Sequence, residues 1–138
     1  MNVTTIGIDL AKTVFSIHGT NQHGKVVVRK RLNRPKLLPY IAQLPPCLIG
    51  MEACSGAHHW AREMTKLGHD VRIIAPRFVA PYRKSSKNDD NDAEAICEAV
   101  GRPNMRFVPI KTEDQQAVLC LHRIRRGLTK ERTAQNNQ

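Results

Sequence analysis

Two short apolar runs, each closed by a carboxylate, restrict what this chain can fold into more than any other feature. Ile6, Gly7 and Ile8 lead directly into Asp9, and Cys47, Leu48, Ile49, Gly50 and Met51 lead directly into Glu52. A continuous apolar stretch of the second kind suits a strand buried on both faces. Such a strand belongs in the middle of a sheet covered by helices on either side. The fold class expected is therefore α/β, a mixed sheet flanked by helices.

The flanking sequence supplies the remaining elements. Val14, Phe15 and Ile17, followed by the turn residues His18 to Gly24, read as a second strand, and Lys25 to Leu32 as a third, which completes a meander. Arg34 to Leu44 opens with Pro at a helix start, spaces Leu37, Leu38, Ile41 and Leu44 helically, and ends at Pro45 and Pro46. Ser55 and Gly56 open a helix through Leu67 that Gly68 terminates. Val71 to Ala75 is a further buried strand, and Pro76 starts a basic helix or loop, Arg77 to Lys87. From Asp89 to Val100 the positions Ala93, Ile96, Cys97 and Val100 recur at three and four residues. They mark an amphipathic helix whose first turn carries aspartates, where the helix dipole favours them. Met105 to Ile110 is a last strand, and Thr112 with Gln115 forms a capping box. The long helix it opens places Ala117, Leu121, Ile124 and Leu128 on a seam that calls for a partner helix.

At 138 residues the chain accommodates one domain with one core, and no apolar run approaches the ~20 residues that span a bilayer. Nor does a basic segment followed by an apolar one mark a secretory leader, so a cytoplasmic location and no membrane partner are expected. The four cysteines, Cys47, Cys54, Cys97 and Cys120, form no C-x-x-C pair and read as small buried hydrophobes. Cys54 and His58 make at most half of a zinc site, for which no second half is visible. Charge is more informative. Twenty-two Lys and Arg against 12 Asp and Glu give +10, which favours a polyanionic partner, nucleic acid or an anionic membrane surface. Seven basic residues and no acid lie between Asp9 and Glu52, whereas five of the 12 acids fall within Asp89 to Glu98. Such a cluster repels itself unless a cation or a basic surface compensates it.

Asp9 and Glu52 at strand ends, with Asp89 and Asp92 three apart at a helix start, can converge. Two divalent cations need hard oxygen ligands of this kind to clamp the attacking and leaving oxygens of a phosphodiester. Each acid also has a plainer reading: a turn Asp, a helix cap, or a buried partner for an Arg. An acid directly after each of two apolar strands, in a stretch otherwise cleared of acids, favours the joint reading.

At these residues the chain resembles the DEDD transposases of bacterial insertion sequences, the insertion-sequence one-ten family that includes Piv-like DNA invertases. The likeness rests on GIDLAK (Gly7 to Lys12), GMEACSGAHHWAR (Gly50 to Arg62), KNDDNDAEAICEAV (Lys87 to Val100), RPNMRFVPIKT (Arg102 to Thr112) and QQAVLCLHRIR (Gln115 to Arg125). It implies a RuvC-type, ribonuclease H-like fold in which Asp9, Glu52, Asp89 and Asp92 bind Mg²⁺, with Mn²⁺ as a substitute, for cutting and joining DNA strands. Asp9 is the expected bridging ligand. Asp90 is not placed by the family pattern and is expected to be solvated.

Members of that family continue through a coiled coil into a C-terminal domain with a serine nucleophile. The division expected here is a RuvC-like catalytic domain over 1–111 and the start of a coiled-coil helix over 112–138, truncated before that second domain. The resemblance also implies a guide (bridge) RNA, so the basic segments Lys25 to Lys36 and Arg72 to Lys87 are candidate contacts for DNA or RNA phosphates. The residues singled out are Lys12, Arg29, Lys30, Arg31, Arg34, Arg83, Lys84 and Lys87. His58, His59 and Trp60 are read as packing and local hydrogen bonding ahead of a proton shuttle.

Two other classes compete. IGIDLAKT also resembles the phosphate-binding strand of actin-like ATPases and sugar kinases, but adjacent glycines and a second half are lacking. The same fold also serves a catalytically incomplete fragment that binds nucleic acid, or a second copy or a full-length transposase through its long helix, as an inhibitor. Loss of divalent-metal binding in Asp9→Ala separates a working metal site from charge-driven binding.

Overall fold

β1 (Thr5–Leu10) and β4 (Leu48–Glu52), the two acid-closed runs, lie side by side and parallel in the middle of a six-stranded mixed sheet. The structure is a computed structural model that describes the backbone of residues 2–84 and 89–136 and the side chains of residues 2–84 and 90–126. The sheet order is β3-β2-β1-β4-β5-β6, with β2 (Val14–Thr20), β3 (Val26–Asn33), β5 (Asp70–Ile74) and β6 (Phe107–Val108). β1, β2 and β3 form the antiparallel meander, β5 is parallel to β4, and β6 returns antiparallel to β5. A mixed sheet with helices on both faces is the expected class, and it is consistent with a ribonuclease H-like fold.

Several boundaries differ from the sequence reading. β2 continues through His18, Gly19 and Thr20, which were expected in a turn, because Thr20 still pairs with Thr5 and its carbonyl accepts from Thr4 N. The turn falls later, where Asn21 Oδ1 accepts from His23 N and Lys25 N at 2.9 and 3.1 Å and Gly24 takes φ +77°. The expected helix at Arg34 divides into a 3₁₀ turn over Arg34–Lys36 and a short α1 (Leu37–Ala42). Only two residues of the expected last strand pair with the sheet.

α1 and α2 (Ala57–Lys66) cover one face, packing Leu37, Ile41, Trp60 and Met64 against Ile6, Ile8, Phe15, Ile49 and Met51. Burying each such side chain contributes roughly 1.5–3 kcal/mol. The other face carries α3 (Pro76–Val79), a 3₁₀ turn over Ala80–Tyr82, and α4 (Asp89–Val100). There the sheet is kept low by glycine. A Cβ on Gly7 would stand 2.3 Å from Ala93 O and 2.4 Å from Cys97 N, and one on Gly50 would stand 2.7 Å from Val100 Cβ.

α5 (Glu113–Asn136) begins at the expected capping box, with Thr112 N donating to Gln115 Oε1 at 2.9 Å and Gln115 N to Thr112 Oγ1 at 3.2 Å. On the expected seam Leu121 and Ile124 are more than half exposed, as is Val118 beside them. Cys47 and Cys97 are buried as expected, whereas Cys54 and Cys120 are exposed, which corrects the reading of all four as core residues. Among the described residues no helix is long and apolar enough to cross a membrane.

Candidate metal and nucleic-acid site

The β1–β4 register places the first two acids. Gly7 pairs with Gly50 and Ile8 with Met51, so the next residue of each strand is Asp9 and Glu52. Side chains alternate along a strand, so these carboxylates share the face of Gly7 and Gly50, on strands about 4.8 Å apart. That face lies under α4. Because α4 rests on Gly7 through Ala93 and Cys97, its first turns reach toward the acid-bearing strand ends. Asp92, from that end of α4, is 5% exposed.

Arg83 joins the two sides. Its Nε donates to Asp92 Oδ1 at 2.5 Å and its Nη2 to Glu52 Oε2 at 3.3 Å, on side chains that are 18%, 7% and 26% exposed respectively. Two further acids of the cluster, Asp90 and Glu94, are paired by bases from other elements. Arg31 of β3 binds Asp90 through two hydrogen bonds of 3.1 and 2.9 Å and holds that carboxyl below the usual carboxylate range. Lys84 pairs with Glu94 at 2.8 Å, lowering the pKa of the acid and raising its own. Asp90, expected to be simply solvated, is thus half-exposed and ion-paired.

Asp9 and Ser16 are opposed in the β1–β2 ladder, on the same face. Ser16 was not anticipated. It is 1% exposed, and its hydroxyl has no hydrogen-bond partner among the described residues. The signal available was a hydroxyl set between the apolar Phe15 and Ile17. Asp89 is the first residue of α4, but its side chain lies outside those described, as does the whole of Lys87.

The basic candidates divide between two faces. Lys12 is exposed in the β1–β2 turn, three residues past Asp9, and Arg29 lies beside Asp90, Asn91 and Glu94 with Arg31 on the α4 side of β3. Lys30 points the other way, 4.5 Å above the Tyr40 ring, and Arg34 lies 5.7 and 6.0 Å from the Phe15 and Trp60 rings. A basic segment that looked continuous is split by strand alternation, and Lys30 and Arg34 are remote from the acids. His58 and Trp60 have the packing roles expected. Trp60 meets Phe15 edge-on at 5.4 Å, and His58 Nδ1 accepts from Lys111 N at 3.1 Å. Burial, followed by the charges of Lys111 and Arg62, pushes the pKa of His58 down.

Among the described residues no three His, Cys, Asp or Glu side chains stand together as a ready metal cluster, since Arg83 lies between Glu52 and Asp92. The donor set nevertheless suits Mg²⁺: hard carboxylate oxygens on one face, a buried Asp92 held by the Arg83 guanidinium, and beside Asp9 the Ser16 hydroxyl, which has no hydrogen-bond partner among the described residues.

A family model described as "Transposase", that of the DEDD transposases of the IS110 type, matches residues 6–138. The chain belongs to this transposase family. It is similar, at 55% identity over all of its 138 residues, to a "Probable family 20 transposase" of Pseudomonas aeruginosa, of which it covers 41%. It is 53% identical over 137 residues to the transposase for insertion sequence element IS1328 of Yersinia enterocolitica, again covering 41% of that protein. To the transposase for insertion sequence element IS1111A of Coxiella burnetii it is 44% identical over 137 residues, covering 38%. The chain therefore spans about two-fifths of the length of these relatives.

Proposed function

We propose that this chain is the catalytic part of an insertion-sequence transposase, a ribonuclease H-like domain for metal-dependent phosphoryl transfer on DNA. The observation that carries this reading is that Asp9 and Glu52 follow the last paired residues of the neighbouring strands β1 and β4, on the face covered by the helix that bears Asp92. Asp9, Glu52, Asp89 and Asp92 would hold Mg²⁺, or Mn²⁺ in its place. When bound, the metal supplies Lewis-acid stabilisation of the attacking and leaving oxygens of a phosphodiester. Asp9, on the strand between those of Ser16 and Glu52, would be the shared ligand. Asp92, buried and anchored by α4, fixes the far side of the site.

Lys12, Arg29, Arg31 and Lys84 flank the acid face and would grip the phosphates of DNA or of a guide (bridge) RNA, restraining the strand over the carboxylates, and Lys87 is a further candidate from the sequence alone. Lys30 and Arg34 are left to their aromatic partners. The exposed α5 stripe would receive a second copy or a full-length transposase, and a cytoplasmic location suits a DNA substrate. The test is Mn²⁺-dependent nicking of supercoiled DNA by this chain, by Asp9→Ala, and by the chain mixed with the C-terminal portion of a relative. Cutting that vanishes in Asp9→Ala supports the proposal. Salt-sensitive DNA binding without cutting in any mixture would instead favour an inhibitory, nucleic-acid-binding fragment.

A further inference from the structure

We infer that Arg83 is a built-in cation surrogate: it holds Glu52 and Asp92 while the site is metal-free, and leaves them for a DNA phosphate when the metal enters. The inference rests on the metal-site reading above and adds to it a residue that couples metal to substrate. Arg83 follows the 3₁₀ turn over Ala80–Tyr82 with extended backbone (φ −71°, ψ 128°), outside any helix or strand. From there its side chain enters the site and donates to carboxylates from two different elements, Glu52 on β4 and Asp92 on α4. One guanidinium charge compensates two carboxylates, so the pair retains an excess negative charge that a divalent ion neutralises better. A guanidinium and a divalent cation cannot both lie between Glu52 Oε2 and Asp92 Oδ1, because two cations there would repel across a poorly solvated gap.

The displaced group has a natural acceptor. A guanidinium presents five donors in a planar fork that matches phosphate oxygens, and it is more weakly hydrated than an ammonium, so it exchanges one oxyanion for another at low cost. Arg83 also stands on the face where Arg29, Arg31 and Lys84 collect positive charge. Metal and DNA would each draw the same equilibrium toward the released arginine. Their binding is then positively coupled, and by linkage each tightens the other by the same factor.

The experiment is Mn²⁺ titration of the full 138-residue chain followed by electron paramagnetic resonance of the free ion, for wild type, Arg83→Ala, Arg83→Lys and Asp9→Ala, with and without a short DNA duplex. Without DNA, Arg83→Ala should bind Mn²⁺ about tenfold more tightly than wild type. Arg83→Lys, which keeps the charge and loses the fork, should fall between them. The duplex should tighten Mn²⁺ binding about fivefold or more in wild type and leave Arg83→Ala unchanged. Circular dichroism checks that each variant is folded, and if Arg83→Ala is not, Arg83→Lys decides. Mn²⁺ binding that Asp9→Ala abolishes, but that is as tight in wild type as in the folded Arg83 variants, overturns the surrogate role alone. Failure of all four proteins to bind Mn²⁺ overturns the metal-site reading and the surrogate with it.

Discussion

Gly7 and Gly50 stand opposite one another on β1 and β4, and α4 lies in the groove that their missing side chains leave. At Gly7 an added Cβ would meet the backbone of Ala93 and Cys97, which can yield only if the whole helix shifts. Gly7→Ala should therefore destabilise the fold by about 2 kcal/mol or more, read from urea denaturation. Gly50→Ala meets the Val100 side chain instead, so its loss should be smaller and partly recovered by Val100→Ala. Equal losses for the two single variants would contradict this seating of α4.

His18 sets a pH dependence. It faces α4 from β2, it is 5% exposed, and burial pushes its pKa down against the opposing pull of Glu94 and Glu98, while Arg29 and Lys84 push it down further. The unfolded chain then takes up a proton near pH ~6.5 that the folded chain refuses until lower pH. Stability should thus fall as pH drops from about 7.5 to about 5.5, with His58 contributing in the same direction. Thermal midpoints across that range should decline in wild type and decline less steeply in His18→Gln, in which His58 remains.

Salt dependence should separate the two faces of β3. Arg29 and Arg31 accompany the acid face, whereas Lys30 and Arg34 lie over Tyr40, Phe15 and Trp60. Replacing Arg29 or Arg31 with Ala should reduce the slope of log affinity for DNA against log salt by about 0.9 each. Replacing Lys30 or Arg34 should leave the slope unchanged. Fluorescence anisotropy over a series of salt concentrations measures both, and the reverse pattern would move the DNA to the α1–α2 face.

Thiol chemistry should sort the cysteines in pairs. Burial pushes the Cys47 and Cys97 thiols up to about 11, whereas Cys54 and Cys120 are exposed. At pH ~8 a small alkylating reagent should modify Cys54 and Cys120 in the native chain, and reach Cys47 and Cys97 only on unfolding. Mass spectrometry of the alkylated chain distinguishes these cases.

The parts of the fold legible in the sequence were those fixed by short-range pattern. The apolar run ending in Glu52 had to be a covered strand, the Asp89–Val100 periodicity had to be a helix, and Thr112 with Gln115 capped α5 as written. Arg83 was legible only as one base among many. Its contacts to Glu52 and Asp92 depend on where a turn sets it relative to two distant elements, which no local spacing encodes. The faces of Arg29, Lys30 and Arg31 follow from strand alternation, a signal present in the sequence but obscured by reading the charges as one block. Continuation of β2 past His18 depends on Gly19 fitting beneath Val3 and Val28, a tertiary contact with no local sign.

The seating of α4 also bears on the order in which the molecule can be made. β1 leaves the ribosome first, yet the residues that press on its Gly7 are Ala93 and Cys97, almost the whole domain later. The meander and the α1–α2 side can assemble while the rest is being synthesised, but the acidic edge stays open until α4 emerges. A nascent chain therefore passes through a stage with a half-covered sheet, in which the proposed metal and DNA site still lacks its α4 side.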